Sequence, residues 1–97
     1  MRKNTEAALA AWQARRPARP AVSVWTDGET LFSYETAILT RDDDGRQIRN
    51  VTKYSPTTSQ HQNAAGEWAG NTYDVDGLKR GATRRDLQAA AFLRATA

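Results

Sequence analysis

Ninety-seven residues with 39% hydrophobic content, no cysteine and a single histidine make one domain with a thin core, without disulfides, thiolate nucleophiles or a multi-histidine metal centre. The net charge of +3 is laid out in blocks, +4 over residues 1–20, −5 over 21–45, +3 over 46–66, −3 over 67–78 and +4 from Lys79 onward, a pattern that suits separate basic and acidic faces better than a uniform nucleic-acid coat. No signal-type apolar region and no membrane-spanning run is present, which with the lack of cysteine points to the cytoplasm and excludes a membrane partner.

Residues 5–16, TEAALAAWQARR, are strong helix formers without a breaker and predict a helix capped by Thr5, favoured at its C-terminus by Arg15 and Arg16, and ended by Pro17. Its apolar side is Ala8, Leu9 and Trp12. The PARP segment at 17–20 reads as a stiff connector, so residues 1–20 are helix plus connector and 21–97 hold the core. From Ala21 the period changes to two. AVSVW and LFSYETAIL flank the hairpin signal Asp27-Gly28, and alternation through the second run sets Phe32, Tyr34, Thr36 and Ile38 on the expected core face. A second turn, 42–45, leads into RQIRNVTKY, whose Ile48 and Val51 fall on opposite faces; a bulge or a sheet covered on both sides accounts for that. The Asp42-Asp43-Asp44-Gly45 run resembles a fragment of a calcium loop but lacks the later glutamate, and reads as a solvated turn.

Pro56 closes the third strand, and TTSQHQNAAGEWA behind it predicts a central helix with His61, Ala64, Ala65 and Trp68 on one stripe. NTYDVDG is a short extra strand or an irregular arm, and Thr83 with Asp86 forms a capping-box variant that opens a last helix. The expected fold class is α+β: a small three-stranded antiparallel sheet, with that extra short strand in reserve, packed with a central helix and N- and C-terminal helices in a single domain, 1–97.

The densest stretch is YSPTTSQHQ at 54–62. Structurally, Ser55 before Pro56 and Thr57 before Gln60 each offer an N-cap, the latter as a capping box, with His61 a polar tip beside Trp68. A sharper reading makes Ser55, Thr57, Thr58 and Ser59 an anion pocket at the helix N-terminus. Catalysis by His61 on Ser55 or Thr58 is least favoured, because neither an orienting carboxylate nor an oxyanion hole has a signature here.

SYETAI at 33–38 followed by YSPTTSQH at 54–61 resembles the SYxTxI and YSxTTSxH pattern of a family of small uncharacterised phage and plasmid proteins. The resemblance implies a mobile-element origin and a shared sheet-then-helix unit. With no cofactor or catalytic motif, the expectation is a non-enzymatic accessory protein that binds stoichiometrically to a host protein or defence complex, an anti-defence inhibitor of anti-CRISPR-like type, in the host cytoplasm if phage-encoded. The expected contact residues are Arg46, Arg49, Lys53, Tyr54, His61, Arg80, Arg84 and Arg85, with neither cofactor nor metal. The alternative is direct DNA or RNA binding through the basic residues of the third strand and last helix. Self-association as a homodimer would relieve the thin core.

Overall fold

Tyr34 and Glu35 divide what alternation predicts as one strand into two. Strands β1 (Val24–Thr26), β2 (Leu31–Ser33), β3 (Thr36–Arg41) and β4 (Gln47–Asn50) form an antiparallel meander, and Ser33 pairs with Thr36 across a two-residue turn. The computed structural model describes residues 2–96; Met1 and Ala97, the ends of the predicted domain, lie outside the described residues, as does the side chain of Thr96. A fifth strand, β5 (Tyr73–Val75), joins β4 in parallel, Ile48 opposite Tyr73 and Asn50 opposite Val75. The sheet is therefore five-stranded and mixed, in order β1-β2-β3-β4-β5, rather than three-stranded and antiparallel.

Three helices cover it: α1 (Arg2–Gln13), α2 (Pro56–Ala69) and α3 (Arg84–Thr96). Because cross-strand partners share a face, register separates two cores. Helices α1 and α2 close over Val24, Leu31, Ile38 and Leu39 with Leu9, Trp12, Ala64 and Ala65. On the other face, α3 closes over Ala37, Ile48 and Val75 with Leu87. A bulge between β2 and β3 brings consecutive Ile38 and Leu39 into the same cluster. Phe32 packs with the α3-side cluster and Ile38 with the other, so the two do not share the face that strict alternation assigns them. Both sides of β4 are covered, which explains its Ile48 against α3 and Arg49 against α2.

Helix α1 begins at Arg2 and holds Thr5 buried inside it, so Thr5 is not its cap. Its other end is a Schellman stop: Arg15 takes a left-handed φ of 57°, Arg16 N–H donates to Ala11 O at 2.8 Å and Arg15 N–H to Trp12 O at 3.1 Å. The Arg15 carbonyl lies so near Gly28, φ 101°, that a Cβ there would stand 3.1 Å from it. At α3 the predicted box forms reciprocally, Thr83 N–H to Asp86 Oδ2 at 2.9 Å and Asp86 N–H to Thr83 Oγ1 at 3.2 Å. The 42–45 turn is closed by Asp42, whose Oδ1 accepts from the Asp44 and Arg46 amides at 2.9 and 2.8 Å. Among the described residues no helix is long and apolar enough to cross a membrane.

Candidate functional site

The meander and the β4-α2 connection bring the two motif halves into one corner. Ser55 is the N-cap of α2: its extended backbone, φ −143°, lets Oγ accept from the Thr58 amide at 3.2 Å, and Pro56 follows where its missing N–H is harmless. Thr58 Oγ1 lies 3.2 Å from Ser55 Oγ and 2.9 Å from Ser33 Oγ, and Ser33 Oγ lies 2.8 Å from His61 Nδ1. Four polar side chains, Ser33 from the end of β2 and Ser55, Thr58 and His61 from the start of α2, thus form one chain from the half-buried cap to the buried imidazole.

His61 is 1% exposed and its Nε2 has no hydrogen-bond partner among the described residues. Burial holds its pKa below the ordinary imidazole value, since protonation would place a second donor in an apolar interior. The ring is therefore a neutral strut between α2 and β2, bonded to Ser33 and not to Ser55 or Thr58 as the catalytic reading requires. Its position as a polar tip is likewise replaced by full burial.

Tyr54 is tied in as well. Its hydroxyl accepts from Asn50 Nδ2 at 3.0 Å and faces the carbonyls of Leu78 and Lys79 at 3.0 and 3.2 Å. Gln62 Nε2 donates to the carbonyls of Asn50 and Thr52 at 2.7 and 2.9 Å, binding α2 to the end of β4.

What this framework presents outward is the β2–β3 turn. Tyr34 has φ 54° and is 44% exposed; a left-handed non-glycine at the first turn position is strained, and persists only where its surroundings dictate it. Trp25 Nε1 donates to its carbonyl at 2.7 Å, while Ser33 and Thr36 on either side are buried. A cleft of about 400 Å³ opens beside the turn, lined by Tyr34, Glu35, Tyr54, Thr57 and Arg80. As an anion pocket it is poorly furnished. Pro56 has no N–H, the Thr58 and Ser59 amides are taken by Ser55 Oγ and O, and the Glu35 carboxylate faces the same space, leaving the Thr57 amide as first-turn donor. Thr57 does not cap; the predicted Thr57–Gln60 box is replaced by Ser55.

The predicted basic contacts divide. Arg49 is turned into the fold, 3.3 Å from Asp74 and donating to Gln62 O at 3.2 Å, over Gly66, where a Cβ would overlap the guanidinium. Burial alone would raise the Asp74 pKa, but hydrogen bonds from Thr72 and Arg49 and the charges of Arg49 and Arg94 outweigh it and hold the carboxyl below its ordinary value. Arg46 sits 3.4 Å from Asp42 and 3.8 Å from Asp44, and Arg84 sits 3.9 Å from Glu29. Lys53, Arg80 and Arg85 are exposed. Of the eight predicted contacts only Tyr54, Arg80 and His61 belong to the corner, with His61 beneath it; Arg46, Arg49, Lys53, Arg84 and Arg85 do not line it.

A family model described as a family of unknown function, DUF8033, matches residues 5–88. The chain belongs to this family. The DUF8033 match spans every element from α1 to the first turns of α3, so the corner and both cores lie inside the family unit. Searches of curated proteins and of solved structures returned no match.

Proposed function

We propose that this DUF8033 protein acts stoichiometrically, without catalysis, by docking the Tyr34–Glu35 turn and the flanking Arg80 onto a partner protein. The observation that carries the reading is the exposed Tyr34 on strained backbone above the buried Ser33–Thr58–His61 base. Tyrosine and arginine dominate interface hot spots, and an anchor whose backbone is already held, here by Ser23 O and Trp25 Nε1, loses less entropy on binding. Glu35 and Arg80 beside it supply both charge signs, which sets register and excludes wrong partners. The partner class we propose, by analogy from the likeness of its two motifs to phage and plasmid proteins, is a host protein or defence complex, inhibited in anti-CRISPR-like manner.

The direct DNA or RNA reading has less support, because Arg46, Arg49 and Arg84 are engaged with Asp42, Asp74 and Glu29. Three remaining basic contacts, Lys53, Arg80 and Arg85, would give a log-log salt slope of about −2.7 on duplex DNA. The deciding experiment is capture from host lysate by tagged wild type and by Tyr34→Gly, each with and without nuclease. A protein held by wild type through nuclease treatment and lost with Tyr34→Gly is expected. Loss of all captured protein on nuclease treatment favours nucleic acid, and equal capture by both chains overturns the proposed docking turn.

A further inference from the structure

Helix α3 leaves a second surface, on the face of the sheet opposite α2. Leu87, Ala90 and Ala91 point to the sheet, and the outer stripe is Arg85, Ala89, Phe92 and Leu93, at the i, i+4, i+7, i+8 spacing of a helix-packing seam. Phe92 and Leu93 are 65% and 68% exposed, the largest apolar side chains so exposed on any helix of the described residues. Beside Phe92 runs a groove of about 320 Å³ with Ile48, Tyr73 and Ala91 on its apolar floor and the exposed carboxylates of Asp43 and Asp44 on its rim.

We infer that this surface is a self-association face, occupied by α3 of a second copy in antiparallel orientation. The argument is charge and shape complementarity of the surface with itself. Arg85 and Phe92 are seven residues apart, about 10 Å along the helix. Arg85 lies on the same side of α3 as Gln88, Phe92 and Ala95, which line the acidic groove. A two-fold axis across the helices at Ala89 keeps that side on the same side in both copies and reverses only the direction. Each Arg85 is then set against the partner's acidic rim, while Phe92 and Leu93 of each cover the other's 85–89 stretch. An isologous contact needs this property, a patch that is its own complement. Ala89 on the axis permits the close approach, an interaxial distance of about 8 to 10 Å. The antiparallel arrangement also sets opposite helix dipole ends together.

Sedimentation equilibrium of the intact chain tests this, with circular dichroism to show that each variant is folded. Wild type is expected to dimerise with concentration, and Leu93→Glu to remain monomeric. Arg85→Glu alone and the pair Asp43→Arg, Asp44→Arg alone should each weaken association by about tenfold or more, because like charges then meet at both ends of the seam. An equimolar mixture of those two variants should recover it as a heterodimer, since opposite charges face each other again at both ends. A wild type that stays monomeric to about 1 mM, the range of the weakest specific association, overturns the inference, as does a dimer indifferent to Leu93→Glu or a mixture that shows no recovery.

Discussion

Ser33 Oγ stands 2.8 Å from Nδ1 of His61, one bond that joins positions 28 residues apart and fixes a hairpin turn to the first turns of a helix. Ser33 can donate to that nitrogen or accept from it, so the bond itself does not choose the charge state; burial does, holding the ring neutral by lowering the imidazole pKa. A histidine depressed in the folded state contributes stability that is fully present above its unfolded pKa of about 6.5 and is lost as pH falls through the folded value. Denaturant titrations from pH 8 to pH 5 should show wild type losing stability below about pH 6.5 at up to about 1.4 kcal/mol per pH unit. That component should be missing in His61→Gln, measured over the same range.

The cap assignment separates two hydroxyls that look alike in sequence. Ser55→Ala should lower stability by about 1 kcal/mol, the usual worth of an N-cap, whereas Thr57→Ala should stay within about 0.5 kcal/mol of wild type. Equilibrium unfolding in urea checks both; equal losses would mean that the cap is shared.

Tyr34 tests whether strain is kept for stability or for recognition. Glycine at φ 54° removes a backbone penalty of about 1 to 2 kcal/mol, offset by glycine's greater freedom when unfolded. Tyr34→Gly is therefore expected to unfold at the same denaturant concentration as wild type or a higher one, with a gain of at most about 1 kcal/mol. A substantial loss would make the phenol a packing element and remove the basis for a docking turn.

Arg41 is 7% exposed, its guanidinium 3.7 Å from the centre of the Trp12 ring and donating to the carbonyls of Trp12 at 2.7 Å and Gly28 at 3.4 Å. Burial, then the nearby Arg15 charge, lowers its pKa, with Glu29 acting in the opposite direction. It ties the Trp12 carbonyl in the last turn of α1 to the Gly28 carbonyl of the β1–β2 turn. Arg41→Ala should cost about 2 to 4 kcal/mol through the lost charge-assisted bonds and the lost packing on Trp12, and Arg41→Met should recover part of this by restoring the stem. Tryptophan fluorescence during unfolding reports the change directly.

How much of this could be read in advance follows from the range of each interaction. Local signals were legible: Ala8, Leu9 and Trp12 on one helical side, His61, Ala64 and Ala65 on another, and the Thr83–Asp86 box all depend on neighbours within a few residues. The break at Tyr34–Glu35 was not, because alternation runs through it and neither residue is a turn former. It is held by bonds made after the chain folds back, among them Ser33–His61, Trp25–Tyr34 and the Tyr34 amide to the Ser23 carbonyl. Strand β5 is three residues long and enters the sheet through a crossover, so its parallel pairing left no periodic trace. Arg41 and Arg49 read as surface charge by type, and their burial depends on Trp12, Gly66 and Asp74 arriving from distant segments. Gln62, which ties α2 to β4, carried no signal beyond its place in the helix.

The strand that enters beside β4 after α2 also sets when the molecule becomes competent. Tyr54 is anchored by carbonyls of Leu78 and Lys79, the cleft is edged by Arg80, and the Gly81 amide donates to Thr36 at 2.9 Å. All of these lie beyond β5. A nascent chain emerging from the ribosome can zip its meander early, yet it has no finished recognition corner until that late segment has been synthesised and has swung back across the sheet.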